Sequence, residues 1–126
     1  MRRWTVDAAT RFLDDVGEGV GADLPLFRGL GPVGPPGDAR VERVDDATMS
    51  FWIGLVRAAA RGPDGRPAEL RRGDRLRAVA VPGGPALLAV RPRPGRSWRA
   101  LLVPAGATAE RILERVPDPD GLGRAA

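Results

Sequence analysis

"DRLRAVAVPGGPALLAVRPRPGRSWRALLVP", residues 74–104, decides the fold of this chain. It divides into three short apolar runs, "DRLRAVAVP", "PALLAVRP" and "RSWRALLVP", joined by Gly83-Gly84 and Pro94-Gly95. Apolar runs punctuated by Gly and Pro pairs read as strands joined by tight turns, so the stretch predicts a β-meander. Pro82, Pro85, Pro92 and Pro104 fall at the strand ends, where a missing N–H costs no ladder hydrogen bond.

Working outward, "ARVERVDDATMSFWIGLVRAAA" (39–60) is rich in β-branched and aromatic residues. Val41 to Val44 and Thr48 to Arg57 read as two more strands around an Asp45-Asp46 turn. Met49, Phe51, Ile53 and Leu55 alternate there with Thr48, Ser50, Trp52 and Gly54. A helix over Phe51 to Ala60 stays open as the other reading. "GPDGRP" (62–67) is a turn. At the N-terminal end Thr5 is an N-cap with Trp4 as its hydrophobic staple. Val6, Ala9, Leu13 and Val16, widened by Phe12, then form one helical face, which Gly17, Gly19 and Gly21 stop. At the other end Thr108 caps a helix whose face is Ala109, Ile112, Leu113 and Val116, closed by Pro117. The order α-β-β-β-β-β-α predicts an α+β domain over residues 1–117. Its antiparallel sheet has about five strands, flanked by an N-terminal and a C-terminal amphipathic helix. Residues 22–38 form a Pro/Gly-rich loop with Leu24, Leu26 and Phe27 free to dock, and 118–126 a disordered tail.

Composition narrows the chemistry. Leu, Ile, Val and Phe make up 30 of the 126 residues, enough for an ordered core. No stretch approaches the roughly 18 apolar residues of a membrane span, and "MRRWTVDAATRFLDD" lacks the apolar centre of a signal peptide, so a cytoplasmic protein is expected. The sequence contains no His, Cys, Lys, Tyr, Asn or Gln. Imidazole or thiolate metal sites, Ser-His and Cys-His nucleophiles, Schiff bases and P-loops are thereby excluded. Asp, Glu, Ser, Thr and Arg are left for chemistry, and no cofactor or metal is expected.

Two motifs resolve as loops. "GLGPVG" (29–34) has the spacing of a dinucleotide fingerprint, but Pro35 and Pro36 forbid the helix that must open within it. "RGD" (72–74) reads as the turn feeding the strand that starts at Arg75. The carboxylate pairs Asp14-Asp15, Asp45-Asp46 and Asp118/Asp120 sit near a helix end, in a turn and in the tail, where all are solvated. A catalytic pair would need one member raised by burial, so a carboxylate-dependent hydrolase ranks third among the readings.

Arginine is where the sequence departs from blandness. Codon bias of a G+C-rich bacterial genome explains why all 20 cations are Arg, but not their placement. Residues 1–60 carry a net −2, 61–105 a net +7 and 106–126 a net −1. With Pro94-Gly95 in the turn, Arg91 pairs with Trp98, Arg93 faces Arg96, and Arg99 lies opposite Val90 on the other side. Arg91 is then placed over the indole as a cation–π contact, and Arg75 and Arg77 extend the surface on the neighbouring strand. Arg75, Arg77, Arg91, Arg93, Arg96, Trp98 and Arg99 are the candidate partner-binding residues. The opposing reading is a solubilising rim with Trp98 in the core. The leading expectation is a non-catalytic regulatory adaptor for protein–protein interaction. It would bind an acidic protein segment, or itself as a homodimer, because Arg and Trp are enriched at binding hot spots. The alternative is a protein that binds single-stranded nucleic acid or RNA.

Overall fold

The run Ala86–Val90 is buried at all five positions, which requires cover on both faces of its sheet. In the computed structural model, which describes residues 3–19 (16–19 as backbone alone), 41–60, 65–93, 95 and 97–116, that run is the central strand. The elements are α1 (Val6–Gly19), β1 (Glu42–Val44), α2 (Asp46–Ala58), β2 (Ala68–Arg72), β3 (Leu76–Ala80), β4 (Ala86–Val90), β5 (Trp98–Val103) and α3 (Ala107–Leu113). The sheet order is β1-β5-β4-β3-β2, and every neighbouring pair is antiparallel. The fold is α+β, with a five-stranded antiparallel sheet and a helix from each terminal region, as the sequence predicts.

Three layers result. The register places Leu76, Ala78, Leu88, Val90 and Leu101 on one face of the sheet, which α1 and α3 cover. It places Val79, Leu87, Ala89, Trp98 and Leu102 on the other, which α2 covers by packing across β1, β5, β4 and β3. Thr5 caps α1 as expected, its Oγ1 accepting the Ala8 N–H at 3.0 Å. Trp4 is fully buried, meets Phe12 edge-on at 5.2 Å, and donates its indole N–H to the Ile112 carbonyl at 3.1 Å. That bond locks the start of the chain to α3.

Several expectations need correction. Thr48–Arg57 is not a strand: it belongs to α2. Positions 49 and 53 fit both a period of two and a helical period, so the neighbours decide. Trp52 and Val56 are buried with them, while Phe51 is 45% exposed, the outcome only a helix gives. Asp45 is accordingly no hairpin turn but the N-cap of α2, its carboxylate accepting the Thr48 N–H at 2.8 Å. The fifth strand is instead β2, "AELRR", which forms the far edge of the sheet. Gly73 and Asp74 of the RGD triplet form, with Arg75, the turn between β2 and β3, Gly73 lying at φ 56°, a backbone that glycine adopts without strain. α1 continues through Gly17 to Gly19. α3 starts after Gly106, so Thr108 lies inside the helix rather than capping it, and Leu113 is half-buried where Ile112 is fully buried. The loop 22–38 with its GLGPVG, the Val16 side chain, Pro94, Arg96, residues 62–64 of the 62–67 turn and the tail with Asp118 and Asp120 lie outside the described residues.

No helix among the described residues is long and apolar enough to cross a membrane.

Candidate functional site

The β2–β3 turn, the base of the β4–β5 hairpin and the start of α2 all meet at one end of the sheet. Leu76 pairs with Val90, Val90 with Arg99, and Val44, the last residue of β1, with Trp98. The Arg91 N–H donates to the Arg75 carbonyl at 3.0 Å, which joins the turn to the hairpin. Arg75 and Arg91, 16 residues apart in sequence, are thereby gathered on one rim, together with Arg71 and Arg72 of β2.

They have different fates. Arg91 is 8% exposed and fully employed. Its guanidinium lies over the Trp98 ring, 4.5 Å from the centroid. Nε donates to the Asp74 carbonyl and Nη1 to Asp46 Oδ1 at 3.1 Å. Trp98, 4% exposed, donates its indole N–H to the same Asp46 oxygen at 2.8 Å. The predicted Arg91–Trp98 stacking is present, but as an internal triad with Asp46 rather than an open surface. Desolvation strengthens such a stack to about 2 kcal/mol. Arg99 lies opposite Val90 as expected and is paired with Asp14 of α1 on the other face. Arg75 and Arg93 are exposed, as are Arg71 and Arg72.

Arg77 stands apart. It is half-buried on β3 directly opposite Arg71 on β2, a like-charge cross-strand pair that is destabilising in itself. Among the described residues it has no ion-pair partner within 4 Å. Burial, and then the neighbouring Arg71 charge, hold its guanidinium below the ordinary arginine value, and Glu69 offsets this in part. Glu69 itself is engaged: Arg57 donates Nε and Nη2 to its two oxygens at 2.8 and 2.7 Å, which raises the Arg57 pKa.

Between α2 and this end of the sheet lies a cleft of about 240 Å³. Met49, Ser50 and Ile53 of α2 form one side; Arg71, Arg77 and Trp98 of the sheet form the other. Asp46 and Asp74 stand at the rim, with Asp74 3.6 Å from Arg71 in a loose, exposed pair. Sequence reasoning named Arg77 and missed Arg71, Asp46 and the cleft. The signal for Arg71 was the alternation Ala68, Glu69, Leu70, Arg71 running into a Gly turn. Nothing local announces Asp46, whose partners lie 45 and 52 residues away.

Asp45 is held below the ordinary carboxylate value, chiefly by the Thr48 backbone N–H it accepts, and so serves the helix rather than acid–base chemistry. Among the described residues no three carboxylates converge as a metal site would require. Comparison with protein-family models, with curated proteins and with solved structures finds no match for this chain.

Proposed function

We propose that this protein is a non-catalytic binding module, and that the arginine end of its sheet receives an acidic segment of a partner protein. The observation that carries the reading is the concentration of exposed Arg71, Arg72, Arg75 and Arg93 at one end of the sheet, where Arg71 also lines a cleft in which Arg77 has no carboxylate partner among the described residues. A partly desolvated cation without a counter-charge costs stability in the free protein, and such costs concentrate at functional sites. An acidic segment would supply the missing charge.

Nucleic acid fits this surface less well. Its usual anchor on such a sheet is an open aromatic ring that stacks a base. Trp98 is buried, with Arg91 over its ring and Asp46 on its N–H.

The test is fluorescence anisotropy with a Glu/Asp-rich decapeptide and, separately, a labelled single-stranded oligonucleotide. The peptide should bind with an affinity that falls as salt rises. Exchanging Arg72, Arg75 and Arg93 together for Ser should weaken it roughly tenfold, about 1.4 kcal/mol, without lowering the Tm. Oligonucleotide binding that survives 150 mM salt while the peptide fails to bind would replace this reading with the nucleic-acid one. Light scattering that gives twice the chain mass, abolished by the same triple exchange, would turn the surface into a self-association site.

A further inference from the structure

We propose that Arg71 and Arg77, opposed across β2 and β3 at the cleft, form a subsite for a single carboxylate borne next to an apolar group. The inference rests on the acidic-segment reading above and says which part of the segment is anchored, and where.

Directly opposed residues on antiparallel strands have Cβ atoms about 4.5–5.5 Å apart. Two arginines rooted that close on one face can turn both guanidiniums onto one bridging anion, since each offers a planar fork matched to a carboxylate. Arg71 is only loosely engaged by Asp74, at 3.6 Å with both side chains more than half exposed. That contact is weak enough for an incoming carboxylate to displace. Arg91, by contrast, is committed to Asp46, Asp74 and Trp98 and forms the wall behind the subsite rather than part of it.

Charge and shape narrow the ligand. The cleft's three arginines and two aspartates leave one net positive charge, matching a monoanion. Asp46 and Asp74 at the rim would repel the second charge of a phosphate dianion or the next phosphate of a nucleic acid. Met49 and Ile53 form an apolar side to the cleft, whose volume corresponds to roughly eight waters at about 30 Å³ each. One apolar side chain beside the carboxylate fits that space. The carboxylate belongs either to a chain terminus with an apolar last residue or to an Asp or Glu beside an apolar one.

Two variants and two probes test this. Arg77→Met should weaken the acidic decapeptide roughly tenfold while its Tm stays level or rises. N-acetyl-L-leucine, titrated into protein followed by NMR, should shift the Arg77 and Arg71 side-chain N–H signals, and N-acetyl-L-leucinamide should not. A decapeptide with its C-terminus amidated then separates the two sources. Lost affinity assigns the subsite to a chain terminus, retained affinity to a side chain, and both support the carboxylate assignment provided Arg77→Met acts as stated. Peptide affinity unchanged by Arg77→Met but reduced by the Arg72/Arg75/Arg93 exchange overturns the subsite and leaves the acidic-segment reading standing. No peptide binding by the wild-type chain removes both. Tighter, Arg77-dependent binding of phosphate than of N-acetyl-L-leucine overturns the carboxylate assignment.

Discussion

The two faces of the sheet are closed in different ways. On one, α1 and α3 lie side by side, tied by the Trp4–Ile112 bond, over leucine, valine and alanine. On the other, a single helix of 13 residues packs across β1, β5, β4 and β3 and reaches the edge strand β2 through Arg57 and Glu69. Along the strands the helix covers only its own width, about 10–12 Å with its side chains, whereas a strand of 5 residues at about 3.3 Å per residue is roughly 17 Å long. The α2 face therefore keeps an end that apolar cover does not reach. That end holds the Arg91–Trp98–Asp46 triad and the Arg71–Arg77 cleft, while the Arg57–Glu69 pair sits farther along the β2 edge. The lesson is that polar chemistry collects where a layer runs out of cover.

The largest expected effect tests the closed face. Ile112→Asp puts an unpaired carboxylate into a fully buried site and should cost on the order of 4 kcal/mol or more, enough to unfold a marginal domain. Leu113→Asp, one residue on and half-buried, should cost about 1–2 kcal/mol. Chemical denaturation of both variants checks the gap, and equal costs would mean that α3 is rotated from the packing described.

The next effect, on the other face, should be intermediate. Trp98→Ala removes a large buried ring and should cost about 3–5 kcal/mol. Asp46→Ala leaves the indole N–H and the Arg91 guanidinium short of an acceptor and should cost about 1–3 kcal/mol. A double-mutant cycle of Asp46→Ala with Arg91→Met should show a coupling of about 0.5–3 kcal/mol. Additive costs would dissolve the triad.

What the sequence made legible follows this same division. The meander, α1 and α3 belong to segments with one dominant period and strong punctuation, such as Gly83 at φ 72° between β3 and β4. The α2 stretch leaves strand and helix both open because Met49 and Ile53 satisfy two periods at once, and β2 escaped because an edge strand carrying Glu69, Arg71 and Arg72 shows little apolar alternation. Charged edges are how sheets avoid pairing with other chains, and the same charges hide the strand from pattern reading. The Arg91–Trp98 stacking could be foreseen because a hairpin register is local. Its burial could not, since that depends on α2 lying above it.

A smaller effect concerns pH, and it belongs to the start of α2. The Asp45 carboxylate sits below its ordinary 3.8 because it accepts the Thr48 N–H. A depressed folded value means that its contribution is present above about pH 3.8 and is lost as the pH falls through the folded value. Asp45→Asn keeps the cap without the titration. Wild type should therefore be the more stable of the two at neutral pH, with the Tm difference vanishing on acidification below pH 3.8. A difference constant down to pH 2 would show that the charge plays no part in capping α2.

The smallest effect, and the one that most sharpens the contrast between the faces, comes from Glu69→Gln. Glu69 holds Arg57 through both carboxylate oxygens and so ties the end of α2 to the edge strand β2. The Arg57 and Glu69 side chains remain 51% and 33% exposed, so the pair stabilises by only about 0.2–1 kcal/mol. Glu69 is also the carboxylate that offsets the repulsion felt by Arg77. Its neutralisation should lower stability slightly while raising the affinity of the cleft for the acidic peptide, the reverse of both effects expected for Arg77→Met. The two variants thus move stability and binding in opposite senses across one strand pair. That crossing signature belongs to a cation left uncompensated for a ligand. If Glu69→Gln weakened both folding and peptide binding, the pair would instead be a scaffold that positions the rim, and Arg77 would be an ordinary surface charge.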